Sequence, residues 1–460
     1  MEKIGLEIHG YLDTGEKLFC KCRNNHDERI PNINICPICT GQPGSKPMLP
    51  NKEAIKKCIE IGLMLNSKIN IIDEKNKENK KKLVWQRKHY NWPDLPKGYQ
   101  NTLSGTYAIP VAESGKFLGI RIKELHLEED PASWNPETGE IDYNRSGAPL
   151  IEIVTEPDFS SAEQTISWLK QVILTLSYIK ALDKKAGIKA DVNVNIYGKS
   201  ERTEIKNVNS LFEIGKAIEY ELKRHKKEYP KKQETRRWNS QKGITEPMRE
   251  KETQADYRFI SDPDLPVIKI KEEDIKTIQE NLPETPQEKL KKLIKKHKIS
   301  EKDAIILTKN IELVELVEQL SEYIEVKKHI SWITIELLRI LNYNKTSLEN
   351  VDIKAEHIAE LIKAVEKKTL TELKAKQILN GFIPKSYSIK PELRSHERIT
   401  DKTELKKLCE VVIKQNKKAV EDYKKGEQNA FNFLMGEIMK QSNRRADYKI
   451  ASECLKELLK

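Results

Sequence analysis

Three short stretches of this chain alternate apolar and chemically active side chains, and that alternation commits them to a sheet with two unlike faces. In Gly5-Leu6-Glu7-Ile8-His9, Leu6 and Ile8 take one side of an extended segment while Glu7 and His9 take the other. With ~3.3 Å rise per residue, the carboxylate and the imidazole start about 7 Å apart on a rigid element. The pattern returns in Glu124-Leu125-His126-Leu127-Glu128 and in Asp191-Val192-Asn193-Val194-Asn195. A helical period would scatter these groups around an axis; a strand lines them up. The expectation is a sheet whose apolar face is core and whose polar face is a reaction floor.

Seven cysteines, an odd number, argue against a disulfide framework. Four are clustered as Cys20-Lys21-Cys22 and Cys36-Pro37-Ile38-Cys39. Two knuckles that present four thiolates to one ion are the spacing of a tetrahedral structural zinc site, which leaves no open position for catalysis. His26, in the intervening loop, is an alternative ligand. Cys58, Cys409 and Cys454 fall at helical positions and read as core residues.

Along the chain, Asn51 is expected to cap a helix from Lys52 to Asn66, and Ser160 or Ser161 another with the packing stripe Ile166, Leu169, Val172 and Ile173. Asp73 to Lys82 is a charged, low-complexity run expected as a solvated loop. The stretch Arg87 to Gln100, with two prolines among cations and aromatics, is too broken for a helix or central strand and reads as an ordered, site-bearing loop. Glu128-Glu129-Asp130 concentrates charge as a hard divalent cation requires. Glu152 and Glu156 share a face of the strand that ends at Pro157. In the helix over 211–228, Lys223 to Lys227, His225 included, reads as a cationic C-terminus facing the helix dipole. From about residue 272 the alternation gives way to helical periodicity. Residues 381–396 read as a linker ahead of a last basic helical module that carries Lys440, Arg444 and Arg445.

The fold class expected is α+β. A cradle domain over 1–272 has a mostly antiparallel sheet and the zinc-binding loop, an all-helical domain covers 273–396, and a helical tail domain covers 397–460. At 460 residues the length accommodates this. No apolar run approaches the ~20 residues of a membrane span, and Met1 leads at once into strand-like sequence, so a cytoplasmic location without a cleaved signal is expected. The net charge of +11 favours a polyanionic partner, yet a Lys-rich composition produces the same number, so charge alone leaves RNA binding open. There is no G-x-x-x-x-G-K-[ST] loop, no G-x-G-x-x-G after a strand and no G-x-S-x-G elbow.

Taken together, GLEIH (5–9), RKHYNWPDLPKGYQ (87–100), HLEED (126–130), DYNRSGAPLIEIVTEPD (142–158), DVNVNI (191–196), RTEIKNVNS (202–210), QETRRW (233–238) and DYRFISDPDLP (256–266) resemble the B subunit of the tRNA-dependent amidotransferases. NAFNFLMGEIMKQSNRRADYK (429–449) is similar to that family's tail. The family usually continues Ala-Gly-Lys after the acidic run, where this chain has Pro131-Ala132-Ser133. The resemblance implies ATP- and Mg²⁺-dependent phosphorylation of the side-chain carboxylate of Asp or Glu esterified to Asp-tRNA(Asn) or Glu-tRNA(Gln). Ammonia from a partner glutaminase (amidase), in a complex that also holds a small third protein, then displaces the phosphate. It further implies Glu7, His9 and Glu128 at Mg²⁺, Glu129 as an additional candidate, and Lys88 and Tyr90 on phosphate or substrate carboxylate. Asp191, Asn193, Lys206 and Asn207 are implied on the same sheet face, Cys20, Cys22, Cys36 and Cys39 at zinc, and tRNA on the tail. His9 is alternatively a substrate-orienting or proton-relaying group. A competing reading is a non-catalytic zinc-ribbon RNA-binding scaffold of a translation complex.

Overall fold

The structure is a computed structural model that describes residues 1–71, 82–90, 93–183, 186–248 and 258–459. The charged run from Asp73, save Lys82, and the motif residues Asn91, Trp92, Asp256 and Tyr257 lie outside the described residues. So do the side chains of Asn207, Glu392 and Arg394. The chain divides into two compact units, Met1–Thr285 and Pro286–Lys460.

The first unit is built on a 12-stranded sheet. Its strands, in chain order with a separate two-stranded ribbon, are β1 (Glu2–Tyr11), β2 (Lys68–Ile69), β3 (Gln86–His89), β4 (Gln100–Thr102), β5 (Ala112–Phe117), β6 (Ile120–Glu129), the ribbon β7 (Ser133–Trp134) and β8 (Ile141–Asp142), β9 (Pro149–Thr155), β10 (Ile188–Ile196), β11 (Thr203–Val208), β12 (Glu234–Asn239), β13 (Ile244–Pro247) and β14 (Arg258–Ser261). The spatial order is β13-β12-β11-β10-β1-β9-β6-β4-β3-β14, antiparallel throughout except for the β11–β12 pair. The N-terminal strand is therefore central, with a partner on each edge.

One face of the central strands is predominantly apolar. Leu6 and Ile8 of β1, Leu125 and Leu127 of β6, Ile151 and Ile153 of β9, and Val192 and Val194 of β10 form a single buried core. It is covered by α1 (Lys52–Met64), α2 (Ala162–Tyr178) and α3 (Leu211–Glu228) through Cys58, Ile61, Leu169, Val172, Ile214 and Ile218. Asn51, Ser161 and Ser210 cap these helices by accepting from backbone N–H groups of the first turn. With the helices confined to that side, the polar face stays open to a ligand.

The second unit is helical. Its first core gathers Leu293, Leu307, Val314, Leu337, Ile358 and Leu361, and its second gathers Leu405, Val412, Leu434, Ile438 and the two cysteines Cys409 and Cys454. The expected linker over 381–396 is instead packed. Phe382 and Ile389 are buried in the first of these cores, and Asp352 receives a backbone hydrogen bond from Ser386 and gives one to Pro384. Gly381 and Pro384 break the helix, but the apolar residues between the breaks keep the segment anchored. No helix among the described residues is long and apolar enough to cross a membrane.

His225 also departs from its sequence reading. It is fully buried, bonded to Ser200 Oγ and Thr203 Oγ1 at 2.8 Å each. Burial, with the charge of Arg224 beside it, holds its pKa down to about 4, so it is a neutral member of the core and not part of a cationic helix end.

Candidate active site

Strand register assembles the polar floor. Across β1–β10, Glu7 pairs with Asp191 and His9 with Lys189; across β1–β9, His9 pairs with Glu152; across β6–β9, Glu152 pairs with His126. Residues that share a register and a face stand about 5 Å apart at the backbone, so four strands bring their active side chains to one place. Glu7, His9, Glu152, Lys189 and Asp191 line a cavity of about 600 Å³ together with Lys88, Tyr90, Gln100, Arg145, Glu204 and Lys206, and His126 lies buried against Glu152.

At its centre, His9 Nε2 lies 3.5 Å from Glu152 Oε2 and 3.8 Å from Glu128 Oε1. His126 Nε2 lies 3.0 Å from Glu152 Oε2 and 3.9 Å from Glu128 Oε2. Burial works against a charged His9 ring, but Glu152, with Glu128 behind it, outweighs burial and lifts the His9 pKa to about 9. His126 is raised for the same reasons. Glu152 is held well below the usual carboxylate range because the two imidazoles overcome its burial. Glu128 moves the other way, pushed up by burial and by repulsion from Glu152. Its Oε2 is buried and accepts no hydrogen bond. Ligand atoms of His9, Glu128 and Glu152 lie within 4.8 Å of one another, and a carboxylate pair of this kind is relieved by a divalent cation.

Glu7 belongs to a second group. Its ligand atoms converge with those of Asp191 and Glu204, again within 4.8 Å. Here the positive charge is part of the chain: Lys206 Nζ donates to Asp191 Oδ2 at 2.6 Å and also pairs with Glu204. Although burial opposes it, the two carboxylates raise the Lys206 pKa and keep the ammonium charged. Asn193 Nδ2 donates to Glu7 Oε1 at 3.0 Å, and burial together with repulsion from Glu152 pushes the Glu7 pKa up. The set Glu7, His9 and Glu128 thus shares a cavity but is divided between two clusters.

The acidic run is divided too. Glu128 faces the cavity, whereas Glu129 turns away and accepts from Lys97 Nζ at 2.5 Å and from Asn101 N at 2.9 Å. Asp130 accepts from Tyr11 Oη at 2.8 Å and takes a two-pronged grip from Arg145 Nε and Nη2 at 2.6 and 2.8 Å. Lys88 and Tyr90, on and just after β3, reach the cavity from the far side, and the charge of Lys88 bears on Glu128. Arg87, one residue earlier, points elsewhere and is clamped to Asp262 and Asp264. Asn207 lies on β11, and its side chain is outside the described residues.

The four clustered cysteines also come together, with all Sγ atoms within 4.8 Å. Cys39 Sγ lies 3.8 Å from Cys36 Sγ and 4.0 Å from Cys22 Sγ and receives the Cys36 N–H at 3.2 Å. A hydrogen bond from Cys20, with Lys17 Nζ 3.6 Å away, holds the Cys39 pKa down to about 5. Four converging sulfurs backed by donors fit a soft-ligand tetrahedral ion. His26 is not among them; its ring packs on Tyr11 with centroids 4.4 Å apart.

Sequence reasoning missed Glu152, Glu204, Arg145 and Lys189 as cavity residues. Glu152 carried a usable signal, a lone acid in the apolar run Leu150-Ile151-Glu152-Ile153. Only the register puts it between two histidines.

The sequence model of the GatB/GatE catalytic domain matches residues 2–276, and that of the GatB domain matches residues 314–459. The chain belongs to the GatB family. Among its relatives, the B subunit of the aspartyl/glutamyl-tRNA(Asn/Gln) amidotransferase of Methanocaldococcus jannaschii is 42% identical, with 99% of this chain and 98% of that protein covered. The same protein of Methanococcus maripaludis is 41% identical, over 99% and 97% of the two chains. That of Methanothermobacter thermautotrophicus is 40% identical, over 99% of each. Family membership thus spans both the sheet-bearing unit with the cavity and most of the helical unit.

Proposed function

We propose that this chain is the ATP-dependent transamidating component that converts misacylated Asp-tRNA(Asn), Glu-tRNA(Gln) or both into Asn-tRNA or Gln-tRNA. A carboxylate is a very poor acyl donor, because its leaving group would be an oxide. In the first step a side-chain carboxylate oxygen of the aminoacyl group attacks the terminal phosphorus of ATP, and the bond to the bridging oxygen of ADP breaks. In the second, ammonia supplied by a glutaminase partner attacks the acyl carbon, inorganic phosphate leaves, and the new amide sheds a proton. Positioning and charge neutralisation supply the rate.

The observation that carries this reading is the convergence of His9, Glu128 and Glu152 on the cavity floor. Glu128 and Glu152 with His9 would hold Mg²⁺, which when bound offsets the charge of phosphoryl oxygens. His9, whose pKa sits at about 9, is a hydrogen-bond donor at neutral pH before any metal binds, not a base. Lys88 and Tyr90 would bind phosphate or the substrate carboxylate. Glu7, kept in place by Asn193 and raised in pKa, would take a proton from the incoming ammonia nitrogen. Lys206 with Asp191 would keep that side of the floor rigid.

The remaining parts follow the same reading. Cys20, Cys22, Cys36 and Cys39 would hold a structural zinc, and elemental analysis should find one zinc per chain, lost when Cys36 and Cys39 are both changed to Ser. Residues 1–272 are the kinase and transamidase cradle, 273–396 a helical domain, and 397–460 a tail that binds tRNA, in a cytoplasmic complex with the glutaminase and the small third protein. The deciding experiment reconstitutes the complex and assays both misacylated tRNAs with Mg-ATP and glutamine. Product from either, abolished in Glu128→Gln, is the expected result. Unchanged turnover in that variant would reject the assignment.

A further inference from the structure

One end of the cavity holds a cation that no acid claims. Lys189, directly opposite His9 across β1–β10, projects onto the same face as Asp191 and lines the cavity. Its Nζ lies 6.0 Å from the centroid of the Tyr11 ring, and the guanidinium carbon of Arg145 lies 6.0 Å from the same centroid. Two cations therefore flank one aromatic ring at the edge of the floor. Two of the acids nearby are engaged elsewhere: Asp130 is gripped by Arg145 and Tyr11, and Asp191 is bonded to Lys206. Asp94, also on the cavity wall, feels the charge of Arg145, and its buried Oδ1 accepts no hydrogen bond. Among the described residues, no carboxylate forms an ion pair with Lys189.

A half-buried ammonium beside a guanidinium is unfavourable unless something negative arrives, because desolvation and like-charge repulsion both oppose it. Both effects register on Lys189, whose pKa is lowered by burial and then by Arg145. Asp130 occupies Nε and Nη2 of Arg145, leaving the Nη1 hydrogens for another acceptor. The position relative to the acid floor is also specific. Lys189 stands one strand from His9, ~4.8 Å at the backbone, and Lys88 enters from the opposite side by way of β3. Cations thus bracket the His9, Glu128 and Glu152 cluster.

We propose that Lys189 and Arg145 form a phosphoryl-binding subsite, which takes the terminal phosphate of the nucleotide or the acyl phosphate made from it. The subsite rests on the reading of this cavity as a phosphoryl-transfer site. Lys189 supplies a point charge and Arg145 fixed donors, the combination that recognises tetrahedral oxyanions.

The test uses the full chain with inorganic pyrophosphate as a metal-free probe, followed by kinetics of the reconstituted complex. Lys189→Met should weaken pyrophosphate binding about tenfold, the size expected for one charge-assisted contact, with the thermal midpoint unchanged. Lys189→Arg should recover most of it. A rise in KM for ATP at unchanged kcat then assigns the subsite to the nucleotide, and a fall in kcat at unchanged KM assigns it to the acyl phosphate. A parent chain that does not bind pyrophosphate, a Met variant that binds it as tightly as the parent, or a folded Arg variant that fails to recover would overturn the proposal. If Glu128→Gln keeps full transamidation, the reading of the cavity fails instead, and the pyrophosphate titration still decides on Lys189.

Discussion

Two three-acid-or-imidazole groupings lie side by side on this sheet, His9–Glu128–Glu152 and Glu7–Asp191–Glu204, each with ligand atoms within 4.8 Å. They differ in where the positive charge comes from. In the second, an ammonium on the neighbouring strand, Lys206, is bonded to two of the three carboxylates. In the first, charge balance comes from the imidazoles of His9 and His126, which hold protons only as strongly as their surroundings dictate. A lysine at this distance closes a cluster permanently, whereas histidines leave it exchangeable for an incoming cation. Acid count alone does not mark a metal site; the identity of the counter-charge does.

That contrast can be broken experimentally. Glu152→Gln removes the carboxylate shared by both imidazoles and should lower kcat/KM for transamidation by about 10²–10³-fold, the usual loss when one preorganised electrostatic group is deleted. Activity near the parent level would mean that the exchangeable cluster is not the reacting one. Lys206→Met strands Asp191 and Glu204 without their ammonium and should cost about 3 kcal/mol in denaturant unfolding, toward the low end for a buried pair because Lys206 is 31% exposed. A variant as stable as the parent would show that the second cluster is not closed by this residue.

Acid should sharpen the comparison from behind the closed cluster, where His225 bonds to Thr203, the residue before Glu204. Its folded pKa of about 4 lies below the ordinary 6.5, so in acid the unfolded chain binds a proton that the folded chain refuses. The stability it contributes is complete above pH 6.5 and disappears as pH falls toward 4, up to about 3 kcal/mol. His225→Gln should remove that part of the pH dependence of the unfolding free energy. The smallest effect belongs to Asn193→Ala, which loses one hydrogen bond to Glu7 at a cost of about 1 kcal/mol. A larger loss would show that Asn193 also supports β10.

The alternation of Glu7 with His9, of His126 with Glu128 and of Asp191 with Asn193 was readable because side-chain direction in a strand depends only on counting by two. The four cysteines were readable by spacing, and the caps Asn51 and Ser161 by residue type. Which strands would be neighbours was not readable, since register is a long-range property. Without it, Glu152 is one acid in an apolar run, and Lys206 is equally a partner for Glu204 or for Asp191; the structure gives it both. Composition misled at 381–396, where Gly and Pro suggested a linker although Phe382 and Ile389 anchor the segment. It misled at His225 as well, where four flanking cations hid a buried residue.

The three consecutive acids at the end of β6 point to three destinations: Glu128 to the cavity, Glu129 to Lys97, and Asp130 to Arg145 and Tyr11. Parity along the strand puts Glu128 and Asp130 on the cavity side and Glu129 on the other, so losing or gaining one residue there would turn all three carboxylates to the opposite side at once. Letters in this stretch can be exchanged one at a time, but its spelling has no slack in length.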